Sequence, residues 1–310
     1  MASATHAEDP TRALITLTQN FADRSWRYPV CHAIVGAFVR TPITPNHVTL
    51  GHTVLAFIAA GLLLRHDPAL SIVAALLLEV RAIADCFDGV LARAKKTSSP
   101  YGRALDQLGD TLGFTAVLVV AAIVSARVHG PAVGWGVVLL LGFVSGISTS
   151  CWDFYRRRIA SLLEHGRDEV EDEFLQLARD VADRPTMVMR WGWFVANFQM
   201  TFFAPSALPG LRVRAARGEG PSSHEGEGPT PLALSLRARV ARGDPELRAA
   251  AARVGFTGAD ASFLIVCASA LFNDLFAGCV VACGYAVVST LVAAVACNRA
   301  LAPVDAAQTA

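Results

Sequence analysis

Charge is so unevenly distributed along this chain that most soluble folds are excluded. No Asp, Glu, Lys or Arg occurs from Gly130 to Trp152, and Val48 to Leu64 is equally free of them. A helix needs roughly 20 mostly apolar residues to cross the hydrocarbon core of a bilayer. Four more segments approach that pattern: Pro68 to Arg93, Gly102 to Ala126, Asp260 to Phe276 and Ala277 to Asn298, the last two parted near Asn273 and Asp274. Within lipid, backbone groups must be satisfied inside the segment, so such stretches are helical. The pattern predicts an all-α, polytopic membrane protein with a bundle of six transmembrane helices. Composition agrees: AVILMFWYC make up 53% and DEKR only 17%, against roughly a quarter charged in soluble domains. Lys and Arg number 27 against 26 Asp and Glu, so there is no basic footprint for nucleic acid.

The rest of the chain divides around these spans. Residues 1–40 are expected to form an N-terminal interfacial amphipathic helix, with Arg24, Trp26, Arg27 and Tyr28 at headgroup level. Met1 to Asn20 carries Glu8 and Asp9 and no apolar h-region, so insertion is expected from internal segments. Residues 41–155 hold spans one to four. Residues 156–255 read as a cytoplasmic insertion between helices 4 and 5, with a flexible linker over 205–231 built on GEGPSSHEGEGPTP. Residues 256–301 hold the last two spans, and 302–310 are a tail. Lys95, Lys96 and Arg156 to Arg158 fall on one side, whereas the opposite loops carry only Arg65 and Arg127. Lys and Arg mark the cytoplasmic side. The seven cysteines include no CxxC and read as small reduced hydrophobes.

A few acids interrupt the apolar sequence, and they cluster. Span two ends and span three begins with ADCFDGVLARAKKTSSPYGRALDQLGD. On a helix, residues three or four apart share a face. Asp85 and Asp88 therefore point together, as do Asp106 and Asp110 on the next helix. The short connection makes the helices antiparallel neighbours, so four carboxylates converge at one end of the pair. Acids within a membrane are costly and mark function. Four together demand compensating positive charge, and carboxylate oxygens suit Mg²⁺, Mn²⁺ or Ca²⁺ better than zinc. Two such ions would clamp a pyrophosphate for in-line displacement at phosphorus. Gly89 and Gly102 allow close approach of a ligand to the backbone, and Arg93 can pair with a phosphate. Thr97 to Pro100 read as a turn with capping potential. Asp110, a carboxylate among carboxylates, has the raised proton affinity that suits a base.

The pattern D-x-x-D-G-x-x-A-R-x8-G-x-x-x-D-x-x-x-D from Asp85 to Asp110, preceded by Thr44-Pro45-Asn46-His47-Val48-Thr49, resembles the signature of the CDP-alcohol phosphotransferases. The resemblance covers about residues 40 to 155 well. It implies a homodimer of six-helix subunits whose site opens to the cytoplasm. It also implies transfer of a phospho-alcohol group from a CDP-alcohol to an acceptor hydroxyl, releasing CMP, with two divalent cations (Mg²⁺ or Mn²⁺). By position, Asp85, Asp88 and Asp106 would hold the metals, and Asp110 would be the general base and touch the second metal. Gly89, Ala92, Arg93 and Gly102 would line the CDP site, with Asn46 and Thr49 nearby. A role in phospholipid biosynthesis is favoured because the site lies at a bilayer interface, with donor or acceptor, at least one of them, a lipid.

Other readings stay open. A CDP-polyol could serve a soluble polyol phosphate. A cation transporter could use the acids as an ion path, although transporter sites usually lie near the midplane of repeated structures and no repeat is visible. A scaffold built on a dead enzyme would have no need of four costly acids. Arg81, four residues before Asp85, is either an acceptor-phosphate ligand or a partner for Glu79 or the acids. His47 and His52 at the start of span one read as satisfied polar contacts. The aromatics of 191 to 203 read as packing.

Overall fold

The computed structural model describes residues 9–97, 100–183, 186–220 and 228–302, and among these every regular element is helical. The helices begin and end where local chemistry directs. Thr44 caps α3 (Pro45–Leu63): its hydroxyl accepts from the His47 N–H at 3.3 Å, and His47 Nδ1 accepts from the Thr44 N–H at 3.3 Å. That reciprocal bonding satisfies two donors that a helix N-terminus otherwise leaves unpaired. Asp67 caps α4 (Pro68–Lys95) through the Leu70 N–H at 3.0 Å. Lys96, at φ 56°, closes α4 in the left-handed conformation. Gly130, at φ 87°, separates α5 (Pro100–His129) from α6 (Pro131–Glu164).

The chain divides into two compact units. One comprises Asn20–Gly146 and Ala259–Val288. It holds a π-helical turn (Asp23–Arg27), α2 (Tyr28–Phe38), α3, α4, α5, the first half of α6, α12 (Ala259–Ala270) and the start of α13 (Leu275–Ala300). Its larger core joins Leu63, Leu78, Val117, Leu141, Phe263 and Cys279. A smaller one gathers Phe87, Val90 and Leu91 of α4 around Cys31 of α2. Large apolar side chains also point outward, among them Phe57, Leu76, Leu139 and Phe143, as lipid-facing helices require.

The other unit comprises Met1–Gln19, Ile147–Gly258 and Ser289–Ala310. It holds α1 (Pro10–Leu17), the end of α6, α7 (Glu169–Asp183), α8 (Met187–Phe203), α9 (Leu208–Ala216), α10 (Pro231–Ala241), α11 (Pro245–Val254) and the end of α13. Phe154, Tyr155, Phe174, Met200 and Phe203 form its centre. The Tyr155 hydroxyl lies 2.9 Å from the Phe203 carbonyl and 3.0 Å from Asn298 Oδ1. One face of α8 packs, with Trp193 against Phe174 at 4.6 Å. The other leaves Met187, Trp191, Phe194 and Phe202 exposed.

Four helices are long and apolar enough to cross a membrane: α3, the Leu105–His129 part of α5, α6 and α13; a fifth span arises if α11 and α12, bent by 58°, count as one. The expectation of six therefore meets two differences. α4 is long enough, at 28 residues, but carries Glu79, Arg81, Asp85, Asp88 and Arg93. α12 has only 12 residues, about 18 Å at 1.5 Å per residue; the turn expected near Asn273 and Asp274 is present, with Asn273 at φ 56°, but the helix already ends at Ala270. The N-terminal region is not one continuous helix, since α1 ends at Leu17 and helix resumes at Phe21. Part of the expected 205–231 linker is helical as α9, held by buried Leu208 and Leu211; residues 221–227 lie outside the described residues. All seven cysteines are unpaired thiols, five of them buried.

Candidate active site

The site is built where α3, α4 and α5 pack side by side, and small residues allow them to come close. A Cβ at Gly113 of α5 would stand 2.9 Å from the Ala56 Cβ of α3, and one at Gly109 would run into the Thr53 hydroxyl. Only glycine permits that approach. At the end of α4, Lys95 Nζ donates to the carbonyls of Thr41 and Ile43 at 2.8 and 2.6 Å, tying down the strand of chain that leads into α3.

Asp85 and Asp88 stand one turn apart on α4, and Asp106 faces them from α5. Between them stands His52 of α3. Its Nε2 is 3.7 Å from Asp85 Oδ1, 3.5 Å from Asp88 Oδ2 and 3.8 Å from Asp106 Oδ1. One ligand atom from each of these four residues lies within 4.8 Å of the other three. Asp88 is further fixed by the Thr49 hydroxyl, which donates to its Oδ2 at 2.6 Å. Asp110, a turn beyond Asp106, pairs instead with Arg81, whose side chain is 10% exposed. Glu79 does not compete for Arg81. It receives Arg27 Nε and Nη2 at 3.0 and 2.9 Å and the Trp26 indole N–H at 2.7 Å.

Of the residues singled out in the sequence, the structure brings Asp85, Asp88, Asp106 and Thr49 together, with Asp110 and Arg81 paired beside them. Gly89 lies under Arg93, whose guanidinium would be 3.5 Å from an added Cβ. Arg93 is exposed and Ala92 half-buried at the end of α4, Gly102 is half-buried at the start of α5, and Asn46 is exposed on the first turn of α3. Ser98 and Ser99 of the expected capping turn lie outside the described residues.

His52 is the residue that sequence reasoning missed. It is not a satisfied polar contact: it is 1% exposed and neither ring nitrogen has a hydrogen-bond partner in the protein. The available signal was its spacing, three residues after Thr49 on the face of α3 that meets the acids.

The donor set suits a divalent cation. Three carboxylates facing one another repel unless a positive charge lies among them. Asp106 Oδ1 and His52 Nε2 are both buried without hydrogen-bond partners, and both are donor atoms able to coordinate a metal ion.

Comparison with known proteins agrees with this geometry. Residues 42–159, which span α3, α4, α5 and most of α6, match the model of the CDP-alcohol phosphatidyltransferase family. That family transfers a phospho-alcohol group from a CDP-alcohol and uses divalent metal. No curated protein matches the chain. The long apolar helices are of the length and composition that cross a membrane.

Proposed function

We propose that this protein is a metal-dependent CDP-alcohol phosphotransferase of phospholipid biosynthesis, joining a CDP-alcohol to an acceptor alcohol and releasing CMP, with donor or acceptor a lipid. The observation that carries this reading is the convergence of Asp85, Asp88 and Asp106 on one point beside the Arg81–Asp110 pair, within the segment that matches the family. The site is read as facing the cytoplasm, from the Lys and Arg at that end of the spans, and the protein as a homodimer, by analogy with the family.

In this reading Asp85, Asp88, Asp106 and Asp110 would hold two divalent cations, Mg²⁺ or Mn²⁺, whose charge would offset that of the donor pyrophosphate. Thr49 keeps Asp88 turned toward the donor. Arg93, above Gly89 at the exposed end of α4, pairs with phosphate oxygens, while Gly102, Ala92 and Asn46 border the nucleotide. The acceptor hydroxyl attacks the phosphorus that carries the alcohol. A new oxygen–phosphorus bond forms, the bond to CMP breaks, and the hydroxyl proton passes to the Asp110 carboxylate. Arg81 orients Asp110 for that transfer and, when an acceptor headgroup enters, offers it a guanidinium N–H.

The test is incubation of purified full-length protein with paired CDP-alcohols and alcohol acceptors, reading CMP and lipid products by mass spectrometry. CMP formation that requires a divalent cation and an acceptor supports the proposal. No CMP from any pair, together with no binding of CDP, would refute it, as would cation flux through proteoliposomes without chemistry.

A further inference from the structure

Resting on the reading above, we propose that His52 Nε2 is a direct ligand of one divalent cation in this site, and that its imidazole shifts the site's preference from Mg²⁺ toward Mn²⁺.

The geometry of the free imidazole carries the inference. A buried polar group without a partner is costly, and His52 buries two such nitrogens. Its Nε2 is aimed at three carboxylates on two other helices, yet the separations of 3.5, 3.7 and 3.8 Å are too long for hydrogen bonds. They suit ligands that share an ion. Donors about 2.1 Å from a common metal stand about 3.0 Å apart at right angles and about 3.4 Å apart at tetrahedral angles. The four donor atoms, all within 4.8 Å of one another, stand close to that arrangement.

Position reinforces the point. Thr49, one turn earlier on α3, already holds Asp88, so α3 presents consecutive turns to the acids. Among the described residues the cluster contains no other histidine. His47 is exposed and occupied in capping α3.

The consequence is chemical selectivity. Mg²⁺ takes oxygen ligands in near-ideal octahedra and keeps much of its water. An imidazole nitrogen favours transition ions. A site of three carboxylates and one imidazole therefore discriminates where four carboxylates would not.

The experiment is a Mn²⁺ titration of metal-stripped, full-length protein, read by pulsed electron paramagnetic resonance for coupling to imidazole ¹⁴N. Nitrogen coupling is expected in the wild type and absent in His52→Gln. That variant should still bind Mn²⁺ through the carboxylates, with its Mn²⁺ over Mg²⁺ preference reduced at least about tenfold. Bound Mn²⁺ without nitrogen coupling, or coupling that survives in His52→Gln, overturns the inference and leaves the phosphotransferase reading standing. A protein that binds no Mn²⁺ at all overturns both. If His52→Gln fails to fold, His47→Gln decides: coupling retained there supports His52, and coupling lost overturns it.

Discussion

Arg156, Arg157 and Arg158 in one unit of the molecule face four carboxylates, and each acid has an arginine. Arg157 pairs with Asp153 and Glu173, and Arg158 with Asp168 and Glu171. In the other unit four carboxylates also converge, Asp85, Asp88, Asp106 and Asp110, but among the described side chains the arginine paired with them, Arg81, is committed to Asp110. Three arginines against four acids leave a single negative charge. Among the described residues one arginine against four acids leaves three, before any contribution from His52. The first cluster is nearly closed on itself and can serve packing. The second is open, and its stability depends on something that brings positive charge. Buried acids alone therefore do not mark a site; the shortfall of partners does.

The largest effect should follow from breaking the open cluster. Asp106→Asn or Asp88→Asn removes one metal-facing charge and leaves the shape unchanged. CMP release should fall on the order of a thousandfold or more, equivalent to about 4 kcal/mol in the barrier. The melting temperature of the metal-free protein should hold or rise, because one repelling charge has gone. A variant with near-wild-type turnover would remove these acids from the chemistry.

The balanced cluster should respond in the opposite sense. Arg158→Ala strands Asp168 and Glu171. Asp168 is buried deeply enough that desolvation already holds its carboxyl above the usual range, despite Arg158. Loss of the partner should cost about 3–5 kcal/mol of stability, read by denaturant unfolding. Replacing Arg158, Asp168 and Glu171 together by apolar residues of similar volume should recover most of that loss. If the triple variant is as unstable as Arg158→Ala, the cluster is more than a packing device.

Much of the open cluster was legible in the sequence. The spacing of Asp85 to Asp88 and of Asp106 to Asp110 sets each pair on one helix face before any tertiary contact is known. What spacing could not show was division of labour. Only packing reveals that Arg27 takes Glu79 and so leaves Arg81 to Asp110. His52 was hidden for the same reason, since a lone histidine on an apolar helix looks alike whether it meets acids or a carbonyl. The fold was legible where apolar runs were long and uncharged, as in α3 and α6. The turn at Asn273 and Asp274 was legible too; what the apolar run from Asp260 did not show is that α12 stops at Ala270, short of a full span.

Close packing of α3 on α5 holds the open cluster together, and it offers a smaller perturbation. Gly113→Ala forces a methyl against Ala56 at 2.9 Å. Overpacking of this kind costs about 1–3 kcal/mol. Because the helices must part, Mn²⁺ affinity should weaken along with the melting temperature. Gly142→Ala on α6, where a Cβ meets nothing within 4 Å, should change neither.

The smallest effect is expected at Asp244, in the unit that holds the balanced cluster. Its carboxylate caps α11 by accepting from the N–H groups of Glu246 and Leu247 at 2.9 and 3.3 Å, and it pairs with Arg239 Nε at 2.6 Å. The hydrogen bond from Arg239 is the main reason its carboxyl lies below the ordinary range in the folded protein. Since the folded form binds the proton less readily than the unfolded chain, the stabilisation is complete above the unfolded pKa, near 4. It is lost as pH falls through the lower, folded value. Asp244→Ala should therefore cost about 1 kcal/mol at neutral pH and progressively less as pH falls through the folded value, so the two unfolding curves should converge on acidification. A difference that persists in acid would mean that the residue acts through backbone conformation, not through its charge.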